Sequence, residues 1–458
     1  MRRLARRSIS LMLVVVLFLT GFGIFSVRYI QDGAQWAAFR PNLHAYSYGV
    51  LVKGAVVDRD GYPLSWVQGG TRTYSAVPSI RSATLHVVGD AQGNIGTGLL
   101  NTYESQLMGY NLLGGLHSAD GMGNTLRTTL DASLCLTALQ SLGNRKGAVV
   151  VYNYTSGDIL CMVSSPTFDP LYPPDTDEVE SNPSYEGVYL NRTISSTFTP
   201  GSIFKLITLQ AAIECLPSLW DMEFTCEGSI NIAGDIITCN DVHGTLDIHD
   251  ALACSCNVVF SQLALMLGGE TLYDYAKKAG LLNTFQCSRS PVKAGSFEIA
   301  PDESADLAWS GIGQFNDLVS PLAAARFAGA IANHGISVAP RIVDQITNGS
   351  GIPVRLVPKS ARQRLLDDDT ADIMQQMMLY NVASWYGAWR FPGLHIGAKS
   401  GTAEVVEGDQ PHAWFIGFLD DPAHPLAFAV FVENGGWGLD VAGQIANTVL
   451  QEAVQLKM

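Results

Sequence analysis

Ser202-Ile203-Phe204-Lys205, Ser255-Cys256-Asn257 and Lys399-Ser400-Gly401-Thr402 are the residues whose types and spacing could do chemistry, and they occur in that order along the chain. Ser202 supplies a nucleophile, and Lys205, at i+3, lies on the same face of a helix as a base one turn away. Ser255 and Asn257 supply a second polar bridge, and Lys399 to Thr402 a strand that can hold an acyl group. An unperturbed lysine has a pKa of about 10.4, so it serves as a base only where burial and neighbouring positive potential lower that value. Pro200-Gly201 breaks the preceding segment, and the run Ile203 to Ile213 is apolar almost all round, which reads as a buried helix starting at Ser202. Unpaired amides and the macrodipole at such a start favour developing negative charge. An isolated Ser-x-x-Lys match is ordinarily a serine N-cap followed by a surface lysine. The apolar surroundings of Lys205 and the two partner motifs favour the chemical reading instead.

The elements that must position these groups can be read around them. Ser255 and Asn257 lie between a short helical stretch, Ile248 to Ala253, and an apolar one, Val258 to Leu267, a connection that can point a hydroxyl and an amide into a cleft. Cys254 and Cys256 beside them read as small buried hydrophobes. The third motif follows Gly393 to Ala398 and precedes Ala403 to Val406, consistent with a strand. Gly401 lets another backbone approach and pair, so that Lys399 and the Ser400 hydroxyl would meet a carboxylate.

The ordered triple resembles the penicillin-binding protein and serine β-lactamase superfamily. Further matches resemble the class B penicillin-binding proteins: Lys53 to Gly61, Gly123 to Asp131, Asn191-Arg192, His243-Gly244, Gly311-Ile312-Gly313-Gln314, Ser320-Pro321-Leu322 and His412 to Gly417. Phe315 departs from the pattern, since relatives commonly carry glycine after the Gly-Gln pair. The resemblance implies that Ser255 shuttles a proton between Lys205 and a leaving amine, that Asn257 holds the acyl side chain, and that the amides of Ser202 and Thr402 form an oxyanion hole. It further implies a D,D-transpeptidase that cross-links peptidoglycan through a serine acyl-enzyme on D-Ala-D-Ala stem peptides drawn from lipid-linked precursors. β-Lactams would inhibit it covalently, no cofactor would be needed, and a SEDS-type glycosyltransferase would be the partner that polymerises glycan strands. A D,D-carboxypeptidase, a β-lactamase-like hydrolase or a membrane β-lactam sensor are the alternatives.

Arg2, Arg3, Arg6 and Arg7 precede an apolar stretch from Ile9 to Val27, close to the roughly 20 residues needed to cross a bilayer. This reads as an uncleaved anchor, with the arginines cytoplasmic and the remaining chain outside a bacterial cell membrane; a cleaved signal peptide shares the same pattern. The expected organisation is a cytoplasmic tail over 1–7, a transmembrane anchor over 8–28, a non-catalytic pedestal over 29–145 and a transpeptidase domain over 146–458. Turn-rich stretches such as Gly114 to Asn124 belong to the pedestal, and the acidic stretch Asp169 to Tyr185 reads as a solvated loop. Strand candidates at Ala148 to Tyr152, Ile159 to Val163, His412 to Leu419 and Leu426 to Val432, with a final helix over Val441 to Leu456, predict an α+β fold, one antiparallel sheet flanked by helices. A net charge of −14 gives nucleic acid binding no electrostatic basis. Of the eight cysteines, Cys226 and Cys239 bracket a hairpin-like stretch and could form a disulfide or remain free thiols. No histidine and cysteine spacing fits a zinc pattern, so no metal is expected.

Overall fold

The computed structural model describes residues 2–38, 54–111, 115–116, 123–355, 360–404 and 409–457. Most of Gly114 to Asn124, Lys53 of the first box, and Val405 and Val406 after the third motif lie outside the described residues. The fold is α+β. Its centre is a five-stranded antiparallel sheet in the order Ile396–Ala403, His412–Leu419, Leu426–Val432, Gly147–Asn153, Ile159–Ser165. Leu426–Val432 and Ile159–Ser165 are buried at every position, and such continuous apolar runs form where both faces of a strand are covered.

Two helices supply that cover. Gly443 of the terminal helix Gly438–Ala453 faces the Phe415 ring, whereas Gly329 of the helix Pro321–Ala332 faces Tyr152. Phe415 shares a register row with Val430 and Val149, and Phe418 shares one with Ala427 and Tyr152. Side chains alternate along a strand, so the two rings stand on opposite faces and the helices sandwich the sheet. Lys399 pairs with Ile416 and therefore points to the Tyr152 face, the one covered by Pro321–Ala332. The strand that carries it is the edge of the sheet, which leaves one side of its backbone for other partners.

The N-terminal region builds a second, six-stranded sheet, ordered Pro353–Arg355, Val343–Thr347, Thr125–Thr128, Ala55–Val57, Pro63–Gln68, Thr71–Tyr74. Its two strands from 343–355 come from within the stretch expected to be purely catalytic, and one continuous apolar core runs from Val56 to Ala453. The segment after Asp169 is more ordered than a loop: Asp175 accepts from the Glu178 amide and starts the short helix Thr176–Ser181, and Asp169 itself forms an ion pair with buried Arg81. At the N-terminus one helix spans Arg2–Ala38, and its segment Leu11–Gly33, with a mean hydropathy of 2.2, is long and apolar enough to cross a membrane. At about 1.5 Å per residue that segment exceeds the roughly 30 Å hydrocarbon layer, and it extends beyond the expected 8–28 boundary.

Candidate active site

The serine motif starts a helix as its spacing predicts, with one refinement. A tight 3-10 turn, Gly201–Ile203, carries Ser202 and leads into the helix Lys205–Cys215. Gly201 has φ +53°, and a Cβ there would lie 2.6 Å from the Thr402 carbonyl oxygen. Its amide donates to Gly313 O at 2.8 Å. The turn is thus clamped between the third motif and the Gly311 to Gln314 loop. Only a residue without a side chain permits that approach.

Ser255 is the meeting point of all three motifs. The buried amine of Lys205 donates to Ser255 O at 2.6 Å, Asn257 Oδ1 at 2.7 Å and Ser255 Oγ at 3.1 Å. Lys399, equally buried, donates to Ser255 Oγ at 2.8 Å and to Ser400 O at 2.9 Å. Ser255 itself sits at φ +60°, a left-handed conformation that costs a non-glycine residue roughly 1–3 kcal/mol. The surrounding bonds hold it there: its amide donates to Leu252 O, its carbonyl accepts from Lys205, and the Cys256 amide donates to Ala251 O.

Burial pushes the Lys205 pKa down to about 8. Burial also drives Lys399 well below the usual lysine value, with the neighbouring Lys205 charge adding to the effect. Two ammonium groups sharing one hydroxyl in a dry site repel, which eases the loss of a proton from each, and Lys205 gives up its own as pH rises through about 8. A neutral Lys205 has two N–H donors and a lone pair. Ser255 O and Asn257 Oδ1, the two shorter contacts, take the donors, and the lone pair is left for a hydroxyl proton. Among the described residues Ser202 Oγ makes no hydrogen bond, to Lys205 or otherwise; apo sites often close such contacts only with substrate.

The Asn257 amide is engaged at both ends, since Nδ2 donates to Thr238 O at 2.7 Å while Oδ1 holds Lys205. In this arrangement it orients the Lys205 amine. Gly401 is tight on its inner side: a Cβ would lie 2.9 Å from Ile203 Cγ2 and 3.0 Å from Pro200 O and Trp414 Cβ. Its lack of a side chain therefore serves internal packing of the serine turn as well as any approach along the open edge. Thr402 Oγ1 accepts from the Gly438 amide at 3.3 Å, which ties the motif to the start of the terminal helix.

Sequence reasoning missed Tyr386. Its buried hydroxyl accepts from the Ser400 amide at 3.0 Å and lies 3.2 Å from Ser400 Oγ, occupying an edge group of the motif strand. It stands on a π-helical turn, Asn381–Gly387, a geometry common at functional sites, and no spacing in the sequence marks it. Phe315 adopts φ +57°, so the loop keeps the conformation that glycine favours despite the substitution. All eight cysteines are free, as the free-thiol alternative expects, and Cys226, Cys239 and Cys256 converge with His243. Tertiary folding, which joins a strand, a hairpin end and a helix start, does what local spacing does not.

The penicillin binding protein transpeptidase domain matches residues 147–451 of this chain. The chain is 30% identical over 389 residues to the peptidoglycan D,D-transpeptidase PbpA of Mycobacterium tuberculosis, covering 78% of each. Its structure is similar to the ceftriaxone acyl-enzyme complex of penicillin-binding protein A from M. tuberculosis, with a TM-score of 0.77 and 26% identity over 88% of this chain and 98% of that one. It is also similar to the D,D-transpeptidase domain of a peptidoglycan glycosyltransferase from Eggerthella lenta, with a TM-score of 0.75 and 25% identity over 88% and 98%.

Proposed function

The chain belongs to the penicillin-binding protein transpeptidase family, and from that premise we propose that it is a peptidoglycan D,D-transpeptidase working through Ser202. The observation that carries the residue roles is the hydroxyl of Ser255 receiving both buried amines, Lys205 and Lys399, from motifs far apart in sequence. Ser202 Oγ attacks the penultimate carbonyl of a D-Ala-D-Ala stem peptide while neutral Lys205 takes its proton. The negative oxygen of the tetrahedral intermediate sits against the Ser202 and Thr402 amides. Ser255 relays the proton to the departing D-alanine amine, which leaves an acyl ester on Ser202. An amine of a neighbouring stem then attacks that ester, the same relay runs in reverse, and the cross-link leaves as an amide. Lys399, Ser400 and Thr402 face the terminal carboxylate, whose charge favours the ammonium form of Lys399.

β-Lactams fit the same reading, because ring opening by Ser202 gives the same acyl linkage. The Arg2–Ala38 helix supports a single-pass anchor with the enzyme outside the cytoplasm, and a SEDS-type glycosyltransferase would supply the glycan strands. Fluorescent penicillin and intact-mass measurement test the assignment. The parent chain gains one adduct, and Ser202→Ala gains none. An adduct of normal yield on Ser202→Ala would overturn it.

A further inference from the structure

Next to the Ser255 bridge, on the far side of Asn257 from its Lys205 contact, three thiols and an imidazole converge. The ligand atoms of Cys226, Cys239, His243 and Cys256 all lie within 4.8 Å of one another. Cys239 Sγ stands 3.7 Å from Cys256 Sγ, and Cys226 Sγ stands 3.4 Å from His243 Nδ1. A disulfide needs its sulfurs at about 2.05 Å. A tetrahedral zinc ion, with Zn–S about 2.3 Å and Zn–N about 2.0–2.1 Å, places its ligand atoms roughly 3.5–3.8 Å apart. Both measured separations fall at or near that edge length. The amides of Asn257 and Val258 donate to Cys239 Sγ at 3.0 and 3.4 Å, outer bonds that favour a thiolate and fix its direction.

We propose that these four side chains bind one zinc ion in a closed Cys3His site that locks the active-site bridge in place. The chemistry of the donors selects the metal. Three thiolates and a neutral imidazole in a tetrahedron suit zinc and leave no position for water, so the ion is structural. Binding replaces three S–H bonds by three Zn–S bonds and releases three protons to solvent, giving a centre of net charge −1. Cys256 lies between Ser255 and Asn257, whereas Cys226 ends the strand Phe224–Cys226 and Cys239 follows the hairpin strand Asp235–Thr238. The ion would therefore tie the hairpin to the strained Ser255 backbone and to the residue that orients Lys205. The positional consequence rests on the acyl-transfer reading above; the metal site does not.

The full chain, purified in detergent without chelator, should carry about one zinc per molecule by elemental mass spectrometry, and Cys226→Ser and Cys239→Ser should lose most of it. Because such variants can fail to fold, the parent chain is also stripped and titrated with cobalt. Thiolate-to-cobalt charge transfer and intense tetrahedral visible bands, displaced by zinc, are expected. Stripping should slow penicillin acylation by about tenfold or more, the scale on which lost ligand-positioning partners act, with recovery on adding zinc. Absence of zinc together with a cobalt spectrum lacking charge transfer would overturn the site, as would peptide mapping that finds Cys239 and Cys256 disulfide-bonded. Stoichiometric zinc whose removal leaves acylation unchanged would overturn the locking role. A chain that never acylates leaves the cobalt spectrum to decide the metal, so the two failures stay distinct.

Discussion

Arg81 and Arg192 are buried cations, as are Lys205 and Lys399, yet the protein surrounds the two pairs in opposite ways. Arg81 forms a two-bonded fork with Asp169, at 2.7 Å from Nε to Oδ1 and 2.5 Å from Nη2 to Oδ2. Arg192 donates to Glu433 at 2.6 Å and to the carbonyls of Gly187 and Glu186. The lysines, by contrast, meet only carbonyl, amide and hydroxyl oxygens, with no carboxylate in hydrogen-bonding reach among the described residues. A buried cation without a counter-ion loses its proton more easily, whereas a paired guanidinium keeps its charge. Of these four cations the paired ones belong to the scaffold, and the unpaired ones are the two lysines to which the proposed mechanism assigns the proton and the carboxylate.

The largest test of that contrast is Lys205→Arg. Arginine cannot release its proton at working pH, and its planar fork does not fit a site shaped for one amine. General-base help is typically worth about 100- to 10,000-fold, so the second-order rate of penicillin acylation should fall on that scale while a thermal melt shows the fold intact. In the parent chain the rate should rise as pH approaches about 8 and level off above it, because burial sets the Lys205 pKa there and only the neutral amine takes the Ser202 proton. A folded variant acylating within a few-fold of the parent would make Lys205 an electrostatic support only.

The opposite pattern is expected for Glu433→Gln. Removing the carboxylate leaves the Arg192 charge buried with carbonyl partners alone, and breaking a buried pair typically costs about 3–5 kcal/mol. Glu433 keeps a side-chain exposure of 25%, so solvent screening reduces the expected loss to about 2 kcal/mol. Denaturant melts should report that loss, and acylation per folded molecule should be unchanged. A rate loss without a stability loss would place Glu433 in the proton machinery and dissolve the contrast.

How much of this was legible in the sequence follows the same division. The three motifs, the helices on either side of Ser255 and the strands His412–Leu419 and Leu426–Val432 could be read directly, because local periodicity and fixed spacing encode them. The Tyr386 hydroxyl on Ser400, the strands Val343–Thr347 and Pro353–Arg355 in the N-terminal sheet, and the Cys226, Cys239, His243 and Cys256 cluster could not. The strands join segments distant in sequence, whereas Tyr386 stands 14 positions from Ser400 and the cysteine cluster falls within residues 226–256; in all three the contact is set by how turns and edges meet in the fold, which helix or strand periodicity does not record. The charge pairing of Arg192 with Glu433 is hidden for the same reason, since 241 positions separate them.

Asp317 gives the contrast its third and smallest test, from the acidic side. It is buried, neither carboxyl oxygen has a partner among the described residues, and burial raises its pKa well above the usual carboxylate value. The raised value means that the native chain holds a proton where the unfolded chain has released it. Stability is therefore fully present below the unfolded pKa of about 3.9 and is lost as pH rises toward the folded value. Asp317→Asn removes the ionisation and keeps the shape. The variant should melt higher at pH 8 by the equivalent of about 1–2 kcal/mol, less than the full cost of an unpaired buried group because the amide is itself unpartnered. Near pH 4 the two chains should melt alike. A parent chain whose melting temperature is flat from pH 5 to 8, or an Asn variant less stable than it at pH 8, would mean that the carboxylate has a partner after all.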